Sequence, residues 1–270
     1  MPANMLTEAI EQGVPLVVLS PHLDDAVLSC GALLIHAVKR TQVTVATLFT
    51  EGGPPPYTLS TRRYLRQVGT RDAESLYRER RAEDRAVLES MGVTWAHAGL
   101  TEAQHRRRTG AGSRGWWVGL LPEFGHLYPV YRLHVVSGRV TPADAGTLDD
   151  ACAFIRRITG AGPALLLAPL GVGGHVDHVL ARTAAGRTGA RIAYYSDFPY
   201  NQRHPPDHAF VRRNGLTEAR WSRLIEAKAD LIRAYRTQAH ALFHGECIPV
   251  VPEVFFLPDY SGDPTEGRSK

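Results

Sequence analysis

The chain has few cysteines and no long apolar run, and each scarcity excludes a class of protein. Three cysteines occur among 270 residues, at Cys30, Cys152 and Cys247, and no pair has CxxC spacing. This argues against a disulfide framework and against a zinc site built from cysteine. The apolar runs are about one strand long, so we expect no transmembrane helix and no integral membrane segment.

Lysine is scarce as well, at positions 39, 228 and 270 only, so that arginine supplies most of the 31 basic residues. This bias is typical of a GC-rich genome. The formal net charge of +4 is too small to indicate a nucleic-acid partner. The N-terminal residues carry acids, with no basic cluster, ahead of the first apolar run. We therefore expect no signal peptide and a cytoplasmic protein.

Apolar runs of strand length alternate with helical patterns along the chain. The sequence predicts strands over 15–20, 42–50, 94–100, 164–170 and 191–198, and helices over 26–40, 72–93, 147–159, 175–188 and about 216–237. This alternation favours an α/β fold, a Rossmann-like and mostly parallel sheet with helices on both faces. We expect a single domain over 1–260 and a flexible tail over 261–270. Residues 101–144 lack the regularity, and we interpret them as a lid-like insertion.

Two polar clusters follow predicted strands. The stretch "SPHLDD" (20–25) follows the first strand, and "GVGGHVDH" (171–178) follows "ALLLAPL" (164–170). Ligands of open α/β sheets bind at the carboxyl ends of the strands. We therefore expect both clusters at the same edge of the sheet. His175 and His178 are three residues apart at the start of a helix, so they share one of its faces.

The residue types in these clusters suit a metal ion. Histidine and aspartate bind zinc, and a catalytic zinc has three protein ligands with one open position. Each cluster taken singly has a structural alternative. Asp24 or Asp25 could cap the helix that follows, and His175 could be a polar loop residue. The convergence of the two clusters favours a metal or catalytic site.

The two clusters resemble the motifs of the PIG-L (LmbE-like) family of zinc-dependent N-deacetylases. The family's (P/A)-H-x-D-D motif is matched by Pro21, His22, Asp24 and Asp25, and its H-x-D-H motif by His175, Asp177 and His178. Shorter similarities are T-x-G at Thr50 and Gly52 and R-x-x-E at Arg80 and Glu83. The resemblance covers about residues 15–250, with a gap at 101–144.

The resemblance implies a role for each motif residue. His22, Asp25 and His178 would bind one Zn²⁺ per chain, although such a site accepts other divalent metals. Asp24 would be the general base that activates the attacking water, His175 the general acid that protonates the leaving amine, and Asp177 a group that orients a motif histidine. Arg80 and Glu102 would contact sugar hydroxyls.

The chain departs from the family pattern at two positions. Many relatives have glutamate after the paired aspartates, where this chain has Ala26. Some relatives have a tyrosine that assists the oxyanion two residues before the first histidine of H-x-D-H, and here that position is Gly173. Neither change removes a proposed metal ligand, so we expect activity.

The resemblance implies a small-molecule glycoconjugate as substrate. We expect removal of an N-acetyl or N-acyl group from an N-acetylglucosamine-type sugar on a larger conjugate, a secondary metabolite of the antibiotic type. Trp116 and Trp117 of the insertion are candidates for contacting it, or they pack the insertion onto the domain. Alternative substrates are a thiol-cofactor precursor or a simple oligosaccharide. Alternative classes are a non-catalytic sugar-binding protein and a nucleotide-binding protein that uses "GVGG" (171–174) for phosphate.

Overall fold

A seven-stranded sheet organises the protein. The computed structural model describes residues 3–108, 121–243 and 247–258. The strands are β1 (Leu16–Ser20), β2 (Val43–Glu51), β3 (Thr94–Thr101), β4 (Leu165–Pro169), β5 (Arg191–Tyr195), β6 (Leu216–Trp221) and β7 (Glu253–Pro258). Their order is β3-β2-β1-β4-β5-β7-β6. The strands from β3 to β5 in this order are parallel, and β7 is antiparallel to both β5 and β6.

Helices cover both faces of the sheet, as predicted. They are α1 (Ala3–Glu11), α2 (Asp25–Ala37), α3 (Leu59–Gln67), α4 (Ala73–Ser90), α5 (Ala145–Thr159), α6 (Val176–Gly186), α7 (His208–Arg213), α8 (Ile225–Ala234) and α9 (Arg236–Phe243). Leu16 and Val18 of β1 pack with α1, α2 and α4, whereas Val17 and Leu19 pack with α5 and α6. The central strand is apolar throughout because both of its faces are buried. No helix within the described ranges is both long and apolar enough to cross a membrane.

The predicted helix over 216–237 is wrong in its first part. Leu216–Trp221 is strand β6, paired with β7 along its whole length. Its leucine, glutamate, alanine and arginine favour a helix in isolation. Sheet pairing overrides that preference and buries Leu216 on one face of the sheet and Ala219 and Trp221 on the other. The helix begins at Ile225, after Leu224 in the left-handed backbone region at φ 61°.

Strand β7 connects the antiparallel end of the sheet to the helices. Its first residue, Glu253, is buried and accepts the backbone N–H groups of Ala32 and Leu33 in α2 at 2.8 and 3.0 Å. The same carboxylate lies 3.4 Å from Nζ of Lys228, which is buried in α8. One side chain of β7 therefore joins two helices of the same layer.

The insertion between β3 and α5 is irregular where the structure describes it. It contains 3₁₀ turns at Ala103–His105, Pro122–Gly125 and Pro142–Asp144 and a π-helical turn at Tyr131–Val135. It packs on the loop that follows β4, where Gly138 N–H donates to the carbonyl of Gly174 at 2.7 Å. Its apolar side chains form a small cluster with Val176 at the start of α6. The segment predicted as a lid is thus in contact with the second polar motif.

Candidate functional site

The two polar motifs meet because β1 and β4 are neighbours in the sheet. The strands pair in parallel, with Leu16 opposite Leu165, so their carboxyl ends open to the same edge. The ring centroid of His22 lies 4.8 Å from that of His175 and 5.1 Å from that of His178. One ring nitrogen of each of these three histidines lies within 4.8 Å of the others. The structure therefore places His22 beside two histidines that lie 153 and 156 positions further along the chain.

Asp25 lies between two of these histidines. Its Oδ2 is 3.0 Å from Nδ1 of His22 and 3.2 Å from Nε2 of His178. Two ligand atoms about 2.0–2.1 Å from one metal ion at a tetrahedral angle are separated by roughly 3.3 Å. Both separations from Oδ2 of Asp25 therefore fit ligand atoms that share one ion. Nε2 of His178 is buried without a hydrogen-bond partner among the described residues, as expected of an atom that binds a metal.

The other ring nitrogen of each proposed ligand histidine has a carboxylate partner. Nδ1 of His178 lies 2.6 Å from Oδ1 of Asp197, and Nε2 of His22 lies 3.2 Å from Oδ2 of Asp177. Such carboxylates fix the tautomer and orientation of a metal-binding histidine. Asp177 thus contacts the histidine of the first motif. Asp197 was not singled out from the sequence, although it follows β5 at the same edge and the rule applied to the other motifs would have found it.

The electrostatic field at the histidines favours a cation. Burial alone would lower the pKa of both rings. Instead, hydrogen bonds to Asp177 and Asp25 raise the pKa of His22 well above its usual value. The charge of Asp25 and the contact with Asp197 raise the pKa of His178 to about 10. A proton and a metal ion compete for the same lone pairs, so these carboxylates also favour a divalent cation.

The helix-cap alternative does not account for Asp24. This residue occupies the N-cap position of α2, yet its side chain makes no capping hydrogen bond. Ser20 does so instead, because its Oγ accepts Ala26 N–H at 3.0 Å while donating to the carbonyl of His22 at 2.6 Å. Burial raises the pKa of Asp24 to about 8, and the negative charge of Asp25 adds to the effect. Asp24 is therefore a buried carboxyl group without a capping role.

His175 does act as a helix cap. Its Nδ1 accepts the backbone N–H of Asp177 at 3.2 Å, at the start of α6. A ring nitrogen that accepts a hydrogen bond carries no proton, so the neutral ring carries its proton on Nε2. Burial lowers the pKa of His175 to about 3, and the charge of His22 acts in the same direction. The local structure therefore favours a neutral imidazole that donates from Nε2.

Arg80 and Glu102 lie in a buried polar group beside the motifs. Arg80 donates to the hydroxyl of Tyr64, and its guanidinium carbon is 5.6 Å from the ring centroids of both Tyr64 and Tyr77. Glu102 accepts from the hydroxyl of Tyr77 and from Nε2 of Gln104 at 3.0 Å. Nε of Arg80 has no hydrogen-bond partner in the described ranges. The arrangement leaves this nitrogen for another group, and sugar contact by the two residues stays a prediction.

Several sequence features receive a structural account. Glu83 of the R-x-x-E match accepts the backbone N–H and the hydroxyl of Thr237, so it holds the start of α9. Ala26 packs in an apolar cluster, with no polar group in place of the glutamate found in relatives. A Cβ at Gly173, where φ is +84°, would lie 3.2 Å from Cβ of Tyr200. Tyr200 therefore fills the space beside this glycine.

The glycines of "GVGG" serve the turn and the packing of the insertion. At Gly174, φ is +70°, and a Cβ would lie 3.3 Å from Gly138 N and from the carbonyl oxygen of Val136. This close approach explains the need for glycine without a bound phosphate. Trp116 and Trp117, the predicted aromatic contacts of the insertion, lie outside the described residues.

The chain is similar in sequence to a curated deacetylase. A curated relative, 2'-N-acetylparomamine deacetylase of Streptomyces fradiae, is 32% identical over 203 residues, which are 74% of this chain. The match spans 62% of that protein's length, less than two thirds of it.

Two solved structures share the fold. The zinc-inhibited form of a teicoplanin deacetylase has a TM-score of 0.69 at 22% identity and covers 90% of this chain and 97% of its own. The deacetylase of the A40926 pseudoaglycone has a TM-score of 0.58 at 24% identity and covers 86% of this chain and 85% of its own. These likenesses confirm the predicted α/β architecture.

The family comparison agrees with the motifs. The model of the PIG-L family, described as GlcNAc-PI de-N-acetylase, matches residues 17–188. This range includes β1, β4 and both polar motifs, and it extends over more than half of the chain. The residues that meet at the edge of the sheet are thus the ones that the family model covers, and the chain belongs to the PIG-L family.

Proposed function

We propose that the protein is a metal-dependent hydrolase that removes the N-acetyl group from an amino sugar within a larger conjugate. The observation that carries the proposal is the position of Asp24. Its carboxyl group has no capping role and interacts electrostatically with Asp25 and His22, two of the three proposed metal ligands. Membership of the PIG-L family and the 32% identical deacetylase support the reaction type.

The proposed metal ligands are Nδ1 of His22, Oδ2 of Asp25 and Nε2 of His178. This set leaves Nε2 of His22 for Asp177 and Nδ1 of His178 for Asp197, so each ring keeps a carboxylate on its other nitrogen. A divalent ion at this position, for which we propose zinc, supplies Lewis acidity that makes water more acidic and an amide carbonyl more electrophilic. Three protein ligands are the number typical of a catalytic zinc site.

Asp24 has the properties of the general base. Amide hydrolysis requires removal of a proton from water and delivery of a proton to the leaving nitrogen. Asp24 precedes a proposed ligand in the sequence, and burial raises its pKa to about 8. A carboxylate of raised pKa is a stronger base than an ordinary aspartate and can hold the proton until the amine takes it.

His175 can serve either as a general acid or as a hydrogen-bond donor to the oxyanion. The family resemblance implies a general acid, which must carry protons on both ring nitrogens. The hydrogen bond from Asp177 N–H to Nδ1 opposes that form. We therefore favour neutral His175 as a donor from Nε2 to the carbonyl oxygen, where negative charge develops in the transition state.

The substrate class rests on the relatives. The curated relative is named for an acetylated amino sugar compound, 2'-N-acetylparomamine, and the family description names an N-acetylglucosaminyl lipid. We propose that this chain acts on an N-acetylated amino sugar that is part of a larger secondary metabolite. Arg80, which lies beside the motifs and matches the family's R-x-x-E arginine, is the proposed contact for sugar hydroxyls.

The test measures metal content and acetate release for wild type, Asp24→Ala and His178→Ala. The substrates are 2'-N-acetylparomamine, N-acetylglucosaminyl glycopeptide, N-acetylglucosaminyl inositol and N,N'-diacetylchitobiose. We expect about one metal ion per wild-type chain. Asp24→Ala should keep the metal and lose turnover by about 10²–10⁴-fold, and His178→Ala should lose both.

Matched controls are Asp149→Ala and His204→Ala, which replace an exposed aspartate and an exposed histidine. Both should keep wild-type metal content and turnover. A wild-type protein that binds no divalent metal, or an Asp24→Ala variant with full turnover, contradicts the proposal.

A further inference from the structure

An arginine of the insertion contacts Asp177 beside the candidate metal centre. Arg106 is 5% exposed and follows the Ala103–His105 turn. Its Nη2 donates to Oδ1 of Asp177, and its Nε lies 3.2 Å from Oδ2 of Asp144. The sequence gives no sign of this position, because Arg106 is the first of three consecutive arginines in an irregular segment.

The guanidinium group of Arg106 lies between two aromatic rings. Its central carbon lies 4.9 Å from the ring centroid of Phe49 and 5.3 Å from that of Tyr128. The hydroxyl of Tyr128 in turn donates to Oδ2 of Asp144 at 2.9 Å. The backbone carbonyl of Arg106 accepts Leu127 N–H at 2.9 Å. Arg106 is therefore a fixed internal group rather than a solvent-facing contact for substrate.

The carboxylate of Asp177 contacts the insertion on one side and two motif histidines on the other, with Nδ1 of His175 at 4.0 Å. Its Oδ1 accepts from Arg106, and its Oδ2 accepts Ala103 N–H at 2.9 Å. The same Oδ2 lies 3.2 Å from Nε2 of His22. The side chain of Asp177 is fully buried, so water cannot replace these contacts. The orientation of its carboxylate, and with it the ring of His22, is therefore set by residues 103 and 106 of the insertion.

From this arrangement we propose that Arg106 is a positioning residue, which acts through Asp177 to hold the ring of His22 in the orientation that binds the metal. The inference rests on the proposed metal site. On this proposal the insertion supports the metal centre, in addition to any role as a lid over the substrate. The competing explanation is that Arg106 only neutralises the buried charge of Asp177 and stabilises the fold.

The two explanations differ in metal affinity. We would measure the dissociation constant for Zn²⁺ by competition with a chromophoric chelator, together with the visible spectrum of the Co²⁺ form and the thermal unfolding of the metal-free protein. Arg106→Met should weaken Zn²⁺ binding about 10–100-fold, the range found when a group that orients a metal ligand is lost, and should alter the Co²⁺ spectrum. Arg106→Lys, which keeps the charge but loses the planar fork, should fall between this variant and wild type.

Arg182→Met is the matched control. Arg182 also pairs with an aspartate, Asp207 at 3.4 Å, and its guanidinium carbon lies 4.0 Å from the ring centroid of Phe210. Asp207 has no contact with a proposed ligand histidine among the described residues. Arg182→Met should therefore lose stability without a change in metal affinity.

A double variant tests whether Arg106 acts through Asp177. The double variant Arg106→Met/Asp177→Asn should bind Zn²⁺ no more weakly than Asp177→Asn alone. If Arg106 acts on His22 only through Asp177, its loss has no further effect once Asp177 has been replaced. Wild-type affinity in a folded Arg106→Met variant overturns the inference; if that variant does not fold, wild-type affinity and spectrum in Arg106→Lys overturn it. A wild type that binds metal but releases no acetate contradicts the proposed function and leaves this comparison of affinities intact.

Discussion

The loops after β1 and β4 each lead into a helix beside the proposed metal centre, but the two helices are capped in different ways. In the first loop Oγ of Ser20 accepts Ala26 N–H, so the carboxylate of Asp24 makes no capping hydrogen bond, while Oδ2 of Asp25 accepts the backbone N–H of His22 at 2.9 Å. In the second loop Nδ1 of His175 accepts the backbone N–H of Asp177, and this hydrogen bond fixes the tautomer of the ring. The comparison teaches that the choice of capping residue decides which polar atoms of a motif remain for chemistry.

The largest expected effect separates the two roles of His175. His175→Ala should reduce turnover by about 10²–10³-fold, the effect of losing one hydrogen-bond donor to the oxyanion. His175→Gln supplies an amide N–H donor that cannot take a second proton, so it should recover part of the loss. The measurement is kcat for acetate release at equal metal content. An equal loss of kcat in both variants would instead assign His175 as the general acid. The capping hydrogen bond of the second loop would then not determine the role of the ring.

Replacing the carboxylate partners compares the proposed metal ligands of the two loops directly. Asp197→Asn removes the charge beside His178, and Asp177→Asn removes the charge beside His22. Each should weaken Zn²⁺ binding by about 10–100-fold. Asp197→Asn should have the larger effect because its contact is 2.6 Å, against 3.2 Å for Asp177. Chelator competition measures both constants, and unchanged affinity in the two variants would contradict the assignment of these carboxylates.

A glycine substitution tests how closely the insertion must approach the second loop. Gly174→Ala combines strain at φ +70° with a Cβ at 3.3 Å from two backbone atoms. We expect a loss of about 1–3 kcal/mol in the free energy of unfolding and reduced turnover. Gly189→Ala is the control, because φ there is +76° but no atom lies within 4 Å of the added Cβ. If urea unfolding gave equal losses of unfolding free energy for the two variants, the insertion would not approach Gly174 closely enough to exclude a Cβ.

The smallest expected effect concerns the cap of the first loop. Ser20→Ala should cost about 1 kcal/mol of stability, the usual effect of losing a side-chain hydrogen bond to the first turn of a helix. It should also reduce turnover, because Ser20 holds the carbonyl of His22 at 2.6 Å. Asp72→Ala removes the cap of α4, where Asp72 accepts Ser75 N–H at 2.9 Å, and should lower stability alone. Full turnover in Ser20→Ala would mean that the cap does not position the motif.

The sequence was informative wherever the pattern was local. Short apolar runs followed by histidine and aspartate predicted both motifs at one edge of the sheet, since β1 and β4 are buried on both faces. β6 was mistaken for a helix because its pairing with β7 comes from residues more than 30 positions away. Arg106 could not be assigned, because an irregular segment has no period that relates its side chains to a distant carboxylate. Asp197 was overlooked although its position after a strand carried the same signal as the motifs.

The place of β7 in the sheet has a consequence for the order in which the protein can complete its structure. On a growing chain, α2, α8 and β6 are all synthesised before Glu253–Pro258. Until those residues emerge, Lys228 lacks its carboxylate partner, and β6 lacks the one strand with which it pairs among the described residues. The antiparallel end of the sheet can therefore form only after residues 253–258 have left the ribosome, and a chain paused before that point has a sheet that ends at β5.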